Sequence, residues 1–484
     1  MFGLLLKSTL SLPASFSFAE IWEALSRWKM LASPRKLSVS LLSALPLLSG
    51  SRVYGSFNSI SSPFGTGIYN SSQTPTNLPW NTYNYCNAPH VNAAHYFKPT
   101  PANVSGSGAE PELVYINVMI RHHKRTPDNL YPNEAELNPA SGWDCSNLRL
   151  FDYAQGGAQV IHETDVPSWH PFLARLWNGT CDQGQLTADG FADAIKHGQD
   201  FWSVYHTKLG FLRSVDEDDI LIRTSTEPRT KQVASGLLFG MDPSTDTKTW
   251  KVVTQPSPID SIPPAYACDR ADSIRDAYQS VPAWTDHLEA NVDLKARLDA
   301  TLGTAGLSDW ASWYDHFFDT FTSRTCNGHP LPCNSTGSCV SEEDASLVHA
   351  IGDFEYNYIW NAAGNSTEYV QLTFGALFME LAMNFNSFKA GTESHKIRFY
   401  VGHDGSMIRL ASGLGFGKVA PLQWPALGSE IVMEVWEIPK SKERFVRVSF
   451  EGTPMQSLEW VSLDDFISLL ESNVPENLLE ACDS

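Results

Sequence analysis

Apolar residues recur along this chain in two rhythms. Short runs rich in Val and Ile, "LVYINVMI" from Leu113, "ILIR" ending at Arg223 and "IRFYV" at 397–401, have the length and content of strands buried on both faces. Between them lie segments of helical spacing. "GQLTADGFADAIKHGQDFWSVY" offers Thr187 as an N-cap and continues as an amphipathic helix, and "EPRTKQVASGLLFGM" predicts a helix packed by Val233, Ala234, Leu237 and Leu238. Strands alternating with helices predict an α/β three-layer sandwich, a mostly parallel central sheet flanked by helices. Residues 111–241 and 396–484 are expected to form this core. Between 242 and 395 the alternation fades into helical stretches such as "LVHAIGDFEYNYIW" and "LTFGALFMELAMNF", which predicts a smaller, mainly helical inserted domain, a cap. Late in the chain "EIVMEVWEI" and "RFVRVSF", separated by "PKSKE", predict a hairpin. Residues 56–110, rich in Ser, Pro, Asn and Thr, read as an extended arm on the surface.

Charge and cysteine usage narrow the setting. The 484 residues carry 54 Asp and Glu against 34 Lys and Arg, a formal net charge of −20, which disfavours nucleic acid as a partner and suits mildly acid surroundings. Eight cysteines (86, 145, 181, 268, 326, 333, 339 and 482) occur with five Asn-x-Ser/Thr sites, at Asn70, Asn103, Asn178, Asn334 and Asn365. Together they predict a secreted or cell-wall-associated chain with disulfides, their pairing left open, and N-glycans at those asparagines. Residues 1–55 are expected to be an extension with a signal segment. The stretch from Met30, "MLASPRKLSVSLLSALPLLSGSRVYGSF", has a basic start, an apolar run and small residues for cleavage, so translation is expected to begin at Met30. No later run is apolar for about 18 residues, and no membrane span is expected.

The candidate chemistry sits where strands end. "VYINVMIRHHKRTPDN" drives an apolar run into Arg121, His122, His123, Lys124 and Arg125; "ILIR" ends at Arg223; "FYVGHDGS" ends at His403 and Asp404. Ligands of open α/β sheets bind outside the carboxyl ends of strands, so these groups predict an anion site in an acidic protein. Phosphate fits best, because guanidinium forks match phosphoryl oxygens and never lose their charge. Three arginines and a protonated His403 can offset the charge that many phosphatases balance with a metal. An imidazole can serve as nucleophile, and a carboxylic acid can protonate the departing alkoxide at acid pH.

Blander readings apply elsewhere. Arg229, six residues beyond Arg223, reads as a helix or surface residue. His122 and His123 make a poor metal pair, since neighbouring side chains on an extended segment point apart. Ser406 beside His403 and Asp404 lacks a Gly-x-Ser-x-Gly elbow. Cys326, His329, Cys333 and Cys339 have zinc-like spacing, but the oxidising setting favours disulfides. His162, His170, His197 and His316 read as structural or surface histidines. Glu430 and Glu434 lie near enough to approach the site but are not assigned to it.

The motifs also resemble a family. "RHHKRTP" resembles the Arg-His-Gly-x-Arg-x-Pro signature of the histidine acid phosphatases, and "GHDGSM" their later His-Asp motif. "ILIRTSTEPRTKQVASGLLFG" resembles the segment with the third phosphate-binding arginine, "GQLTADG" a Gly-Gln-Leu-Thr turn, and "SEIVMEVWE" a late strand, in order over roughly residues 111–450. The resemblance implies a secreted acid phosphatase that hydrolyses phosphomonoesters through a phosphohistidine, without metal or cofactor. It implies His122 as nucleophile, Arg121, Arg125, Arg223 and His403 as phosphate ligands, and Asp404 as proton donor. His123 stands where the family usually has Gly, so its imidazole is expected either to crowd the site or to add a phosphate contact. The family includes broad acid phosphatases and phytases. With 8 Lys and Arg against 21 Asp and Glu in residues 241–395, a small or monophosphorylated substrate is expected over phytate. The alternatives are a phytase-like inositol phosphate phosphatase and a non-catalytic phosphate-binding glycoprotein, to which His123 is the pointer.

Overall fold

The computed structural model describes residues 67–99, 110–138, 141–146, 148, 150–152, 159–161, 163–173 and 176–483. The expected start at Met30, the signal segment within 1–55, the outer parts of the arm with Asn103, and His162 lie outside the described residues.

A sheet of eight strands forms the middle layer. Its strands are β1 (Glu112–Arg121), β2 (Ile220–Thr224), β3 (Val252–Val253), β4 (Ile397–Gly402), β5 (Glu430–Glu437), β6 (Arg444–Phe450), β7 (Thr453–Pro454) and β8 (Val461–Ser462). The spatial order is β8-β6-β5-β1-β4-β2-β3, with β7 paired to β6. The half that carries the site, β1-β4-β2-β3, is parallel, as the alternating pattern predicts. The other half is antiparallel, and β5 and β6 form the predicted hairpin.

Alternation of side chains across the sheet sends β1 residues to two cores. Ile116, Val118 and Ile120 join Phe399 and Val401 beneath α1 (Ala188–Trp202) and α2 (Pro228–Met241). Tyr115 and Met119 join Tyr400 on the opposite face. Thr187 caps α1, its hydroxyl accepting the Gly190 N–H at 3.2 Å, and Pro228 supplies a fixed φ at the first turn of α2. The two helices approach closely because Gly198 and Gly240 lack side chains. A Cβ at either would lie 2.2 or 2.0 Å from a carbonyl of the other helix.

Residues 242–395 supply six helices: α3 (Asp269–Gln279), α4 (Pro282–Ala290), α5 (Val292–Leu302), α6 (Asp315–Cys326), α7 (Glu342–Asn357) and α8 (Ser366–Ala390). The stretch also contributes to the layers themselves. β3 lengthens the sheet, and α8 covers its second face, where Asn384 donates to Asn117 of β1 at 3.2 Å. Beyond β4 follow α9 (Asp404–Gly413) and α10 (Leu463–Glu471).

The described part of the arm does more than lie on the surface. Tyr85, Cys86, Ala88 and Val91 are buried, because Cys86 is bonded to Cys326 of α6 and the Val91 N–H is taken by the Glu430 carboxyl. The remaining cysteines pair as Cys145–Cys181, Cys268–Cys482 and Cys333–Cys339. Disulfides thus occupy three of the four groups with zinc-like spacing, and His329 instead stacks on Trp143 at 4.0 Å between centroids. Cys86–Cys326 and Cys268–Cys482 close separations of 240 and 214 residues, each worth roughly 5 kcal/mol in the chain-entropy account. Asn70, Asn178 and Asn365 are exposed, and Asn334 is partly so.

Candidate active site

Parallel pairing builds the centre of the site. Arg121 at the end of β1 is in register with Gly402 at the end of β4, so His122 and His403 leave the sheet side by side, their ring centroids 5.4 Å apart. The His122 N–H donates to the Gly402 carbonyl at 2.9 Å, and its carbonyl accepts the Gly428 N–H at 3.2 Å. Its Nδ1 lies 2.9 Å from the His123 carbonyl. A carbonyl only accepts, so Nδ1 carries the hydrogen and Nε2 keeps its lone pair. Burial, followed by the charges of Arg229, Arg121 and Arg125, pushes the imidazole well below its ordinary range. The shift favours the neutral form of the ring.

Three guanidiniums surround it, each held by carboxylates. Arg121, fully buried, bonds the Pro425 carbonyl and the Tyr85 hydroxyl and donates to Asp404 Oδ2 at 2.8 Å. Arg125 pairs with Asp319 at 2.8 Å and Asp128 at 3.1 Å. Arg229, on the first turn of α2, shares Asp128 at 3.3 Å. Asp404 opens α9, where its Oδ1 accepts the Gly405 N–H at 2.6 Å and its Oδ2 accepts the Trp424 indole N–H at 3.0 Å. Burial would raise this carboxyl, but Arg121, the indole and Arg125 outweigh it and hold it at about 2. Its side chain remains 21% exposed and that of Arg229 12%, so the cluster is open to a ligand on this side.

The structure places the Arg223 side chain away from this cluster. That side chain pairs with Asp260 at 3.1 Å and with Glu380 of α8, and bonds Ser261 at 3.0 Å. Register explains why. Arg223 is opposite Tyr400, two residues short of Gly402 and hence roughly 7 Å below the edge where His122 emerges. Arg229 takes its place among the charges bearing on His122 and His403, although the sequence had suggested a helix or surface role. Because Asp260 is wholly buried, Arg223→Ala is expected to cost about 3–5 kcal/mol of stability. It should leave KM unchanged, as denaturation and steady-state kinetics on the same variant will show.

His403 departs from expectation in its charge. Its Nε2 lies 2.9 Å from the Ser225 hydroxyl, and burial with Arg229 holds it down at about 3, which favours the neutral ring. His123 neither crowds the site nor reaches into it. It is fully buried, its Nε2 3.4 Å from His197 Nδ1. Gly428, with φ +72°, makes room for it, since a Cβ there would sit 2.5 Å from the ring. Behind it His197 Nε2 meets Glu430 at 3.0 Å and stacks on His90 at 4.2 Å. Burial pushes Glu430 up to about 7 and His197 down to about 4, so between these values the contact is a neutral hydrogen bond.

The other candidates settle elsewhere. Glu434 binds Arg447, Tyr96 and Tyr205. Lys124 turns to Asp193 and Ser72. His316 pairs with Asp315, and the Ser406 hydroxyl donates to the Ile262 carbonyl at 2.6 Å. Tyr85, Asp128, Asp319 and Trp424 were not identified from the sequence. Only Arg229 had a legible signal, since it opens the helix that follows a site-bearing strand.

The chain's relatives bear on the same cluster. Residues 112–451 match the model of the histidine phosphatase superfamily (branch 2). Counting factor 60 of Dictyostelium discoideum is 26% identical over 426 residues, covering 82% of this chain and 92% of its own length. The 2-phosphoxylose phosphatase 1 of Danio rerio is 23% identical, covering 77% of each chain. Lysosomal acid phosphatase of Bos taurus is 24% identical, covering 62% of this chain and 72% of its own. In fold alone, the apo Hafnia alvei phytase superposes with a TM-score of 0.52 at 13% identity, covering 79% of this chain and 99% of its own. The family match spans β1 through β6 and takes in both histidine-bearing strand ends, and the chain belongs to the histidine phosphatase superfamily, branch 2.

Proposed function

We propose that this protein is a secreted acid phosphatase that hydrolyses phosphomonoesters through a phosphohistidine on His122, with guanidiniums rather than a metal ion offsetting the phosphoryl charge. The observation that carries the reading is the pose of the His122 ring among three guanidiniums. Its Nδ1 is committed to the His123 carbonyl, and the charges of Arg229, Arg121 and Arg125 bear on it.

In this mechanism the monoester binds among Arg121, Arg125, Arg229 and His403. Below about pH 6 a phosphomonoester carries one proton. Passing that proton to Asp404 turns the ester into a dianion that pairs better with the guanidiniums, while Asp404 becomes the acid. His122 Nε2 attacks phosphorus, the bond to the leaving oxygen breaks, and Asp404 returns the proton to that oxygen. Water then attacks the phosphohistidine with the Asp404 carboxylate accepting its proton, and phosphate departs. The sign of the pH dependence follows: kcat/KM should fall above about pH 6, as the proton-carrying ester disappears.

Asp404→Asn is expected to bind phosphate as wild type does and to lower kcat about 10²–10⁴-fold. The loss should be greater for alkyl than for aryl phosphates, whose leaving groups need less protonation. Equal kcat in both proteins would remove Asp404 from the donor role. Phosphate release from an aryl phosphate between pH 3 and 7, with and without chelator, tests the reading as a whole. Activity that requires added metal, or that peaks at neutral pH, contradicts it. Lys124 is turned away and residues 241–395 are acidic, which favours monophosphorylated substrates over phytate. Competition between the two measures this directly. Four disulfides and the exposed sites at Asn70, Asn178 and Asn365 support the secretory route. A mobility shift on glycosidase treatment of the secreted protein is the expected result.

A further inference from the structure

The loop 421–425 connects the catalytic cluster to the inserted helices. Its Trp424 indole lies between two rings, Tyr356 of α7 at 3.7 Å and 22°, and Phe318 of α6 at 3.9 Å and 8°. All three side chains are buried. The Trp424 N–H donates to Asp353 of α7 at 2.8 Å, and its carbonyl accepts the Tyr83 hydroxyl at 2.7 Å. At the far end of this clamp the indole N–H meets Asp404 Oδ2 at 3.0 Å, the same oxygen that Arg121 binds. The next residue's carbonyl accepts from Arg121. One loop therefore touches both members of the Arg121–Asp404 pair.

The geometry points to Trp424 as a positioning residue, through which the inserted helices fix the orientation and proton affinity of Asp404. This rests on the phosphohistidine reading above. The indole donates only and so favours the ionised carboxylate. Arg121 of β1, Arg125 of the following loop and Arg229 of α2 bear on Asp404 as cations, and the preceding His403 joins them only when protonated. Asp128 opposes them, and the neutral Tyr85 and Tyr356 stand close by. Among these groups the indole is a neutral donor that fixes one oxygen, leaving the carboxylate in a defined pose for accepting and returning the proton.

Trp424→Phe keeps an aromatic ring for the sandwich and removes the N–H. With an alkyl phosphate as substrate, the alkaline limb of kcat reports the proton held in the enzyme–substrate complex, whereas that of kcat/KM reports free enzyme and free ester. Loss of the donor is expected to move the kcat limb up by about one pH unit and to leave the kcat/KM limb in place. Phe318→Leu, which retains the N–H but loosens the ring, should move the kcat limb the same way by less, and it carries the test if the Phe variant does not fold. Limbs unmoved in the folded variants, with activity merely scaled down, would overturn the positioning role. Alkaline quench of wild type with labelled substrate separates the two readings: absence of phosphoenzyme overturns the mechanism and this inference with it. Phosphoenzyme with unmoved limbs overturns this inference alone.

Discussion

Alanine at position 122 is expected to abolish phosphate release, with a loss of at least about 10³-fold at every pH between 3 and 7. The expectation follows from where the ring stands. His122 is a buried imidazole with Nδ1 fixed on a neighbouring carbonyl, and among the described residues its neighbour His123 points into the interior instead. His403, 5.4 Å away, has its Nε2 on Ser225 and is not placed to substitute. The variant should still bind phosphate, because Arg121, Arg125 and Arg229 keep their own carboxylate partners. Labelled phosphate should appear on wild-type protein after alkaline quench and be absent from the variant. A His122→Ala protein that remains active, or a wild type that binds phosphate without turnover, would move the reading to a binding glycoprotein.

The second large effect separates two arginines six residues apart. Arg229→Ala is expected to lower kcat/KM about 10²–10³-fold, in contrast to the stability loss expected of Arg223→Ala. It should also carry a pH signature. Of the charges depressing His122, Arg229 is the foremost, so its removal lets the imidazole gain a proton at higher pH. The protonated ring cannot attack, and the defect should deepen as pH falls. Steady-state profiles of both variants decide it. A defect in Arg229→Ala that is flat with pH would mean that its charge does not reach the nucleophile.

What could be read without coordinates was whatever depends on local order. Runs such as "LVYINVMI" and "IRFYV", with capped amphipathic stretches between them, specify strands, helices and a parallel sheet, because period and burial are properties of neighbouring residues. The same logic placed His122, Arg121 and Asp404 at strand ends, and five N-glycosylation motifs with eight cysteines pointed to disulfides. Which arginine lies beside His122 is a different kind of fact. Arg223 and Arg229 differ by the register of β2 against β4 and by the acids that α8 and the turn at Asp260 bring to meet Arg223. The fate of His123 depended on His197, 74 positions away, and on Glu430, a further 233 positions along the chain. Trp424 meets Asp404 with its ring between two inserted helices. Long-range pairing of side chains carries no periodicity in the sequence, so these choices came only from the packed structure.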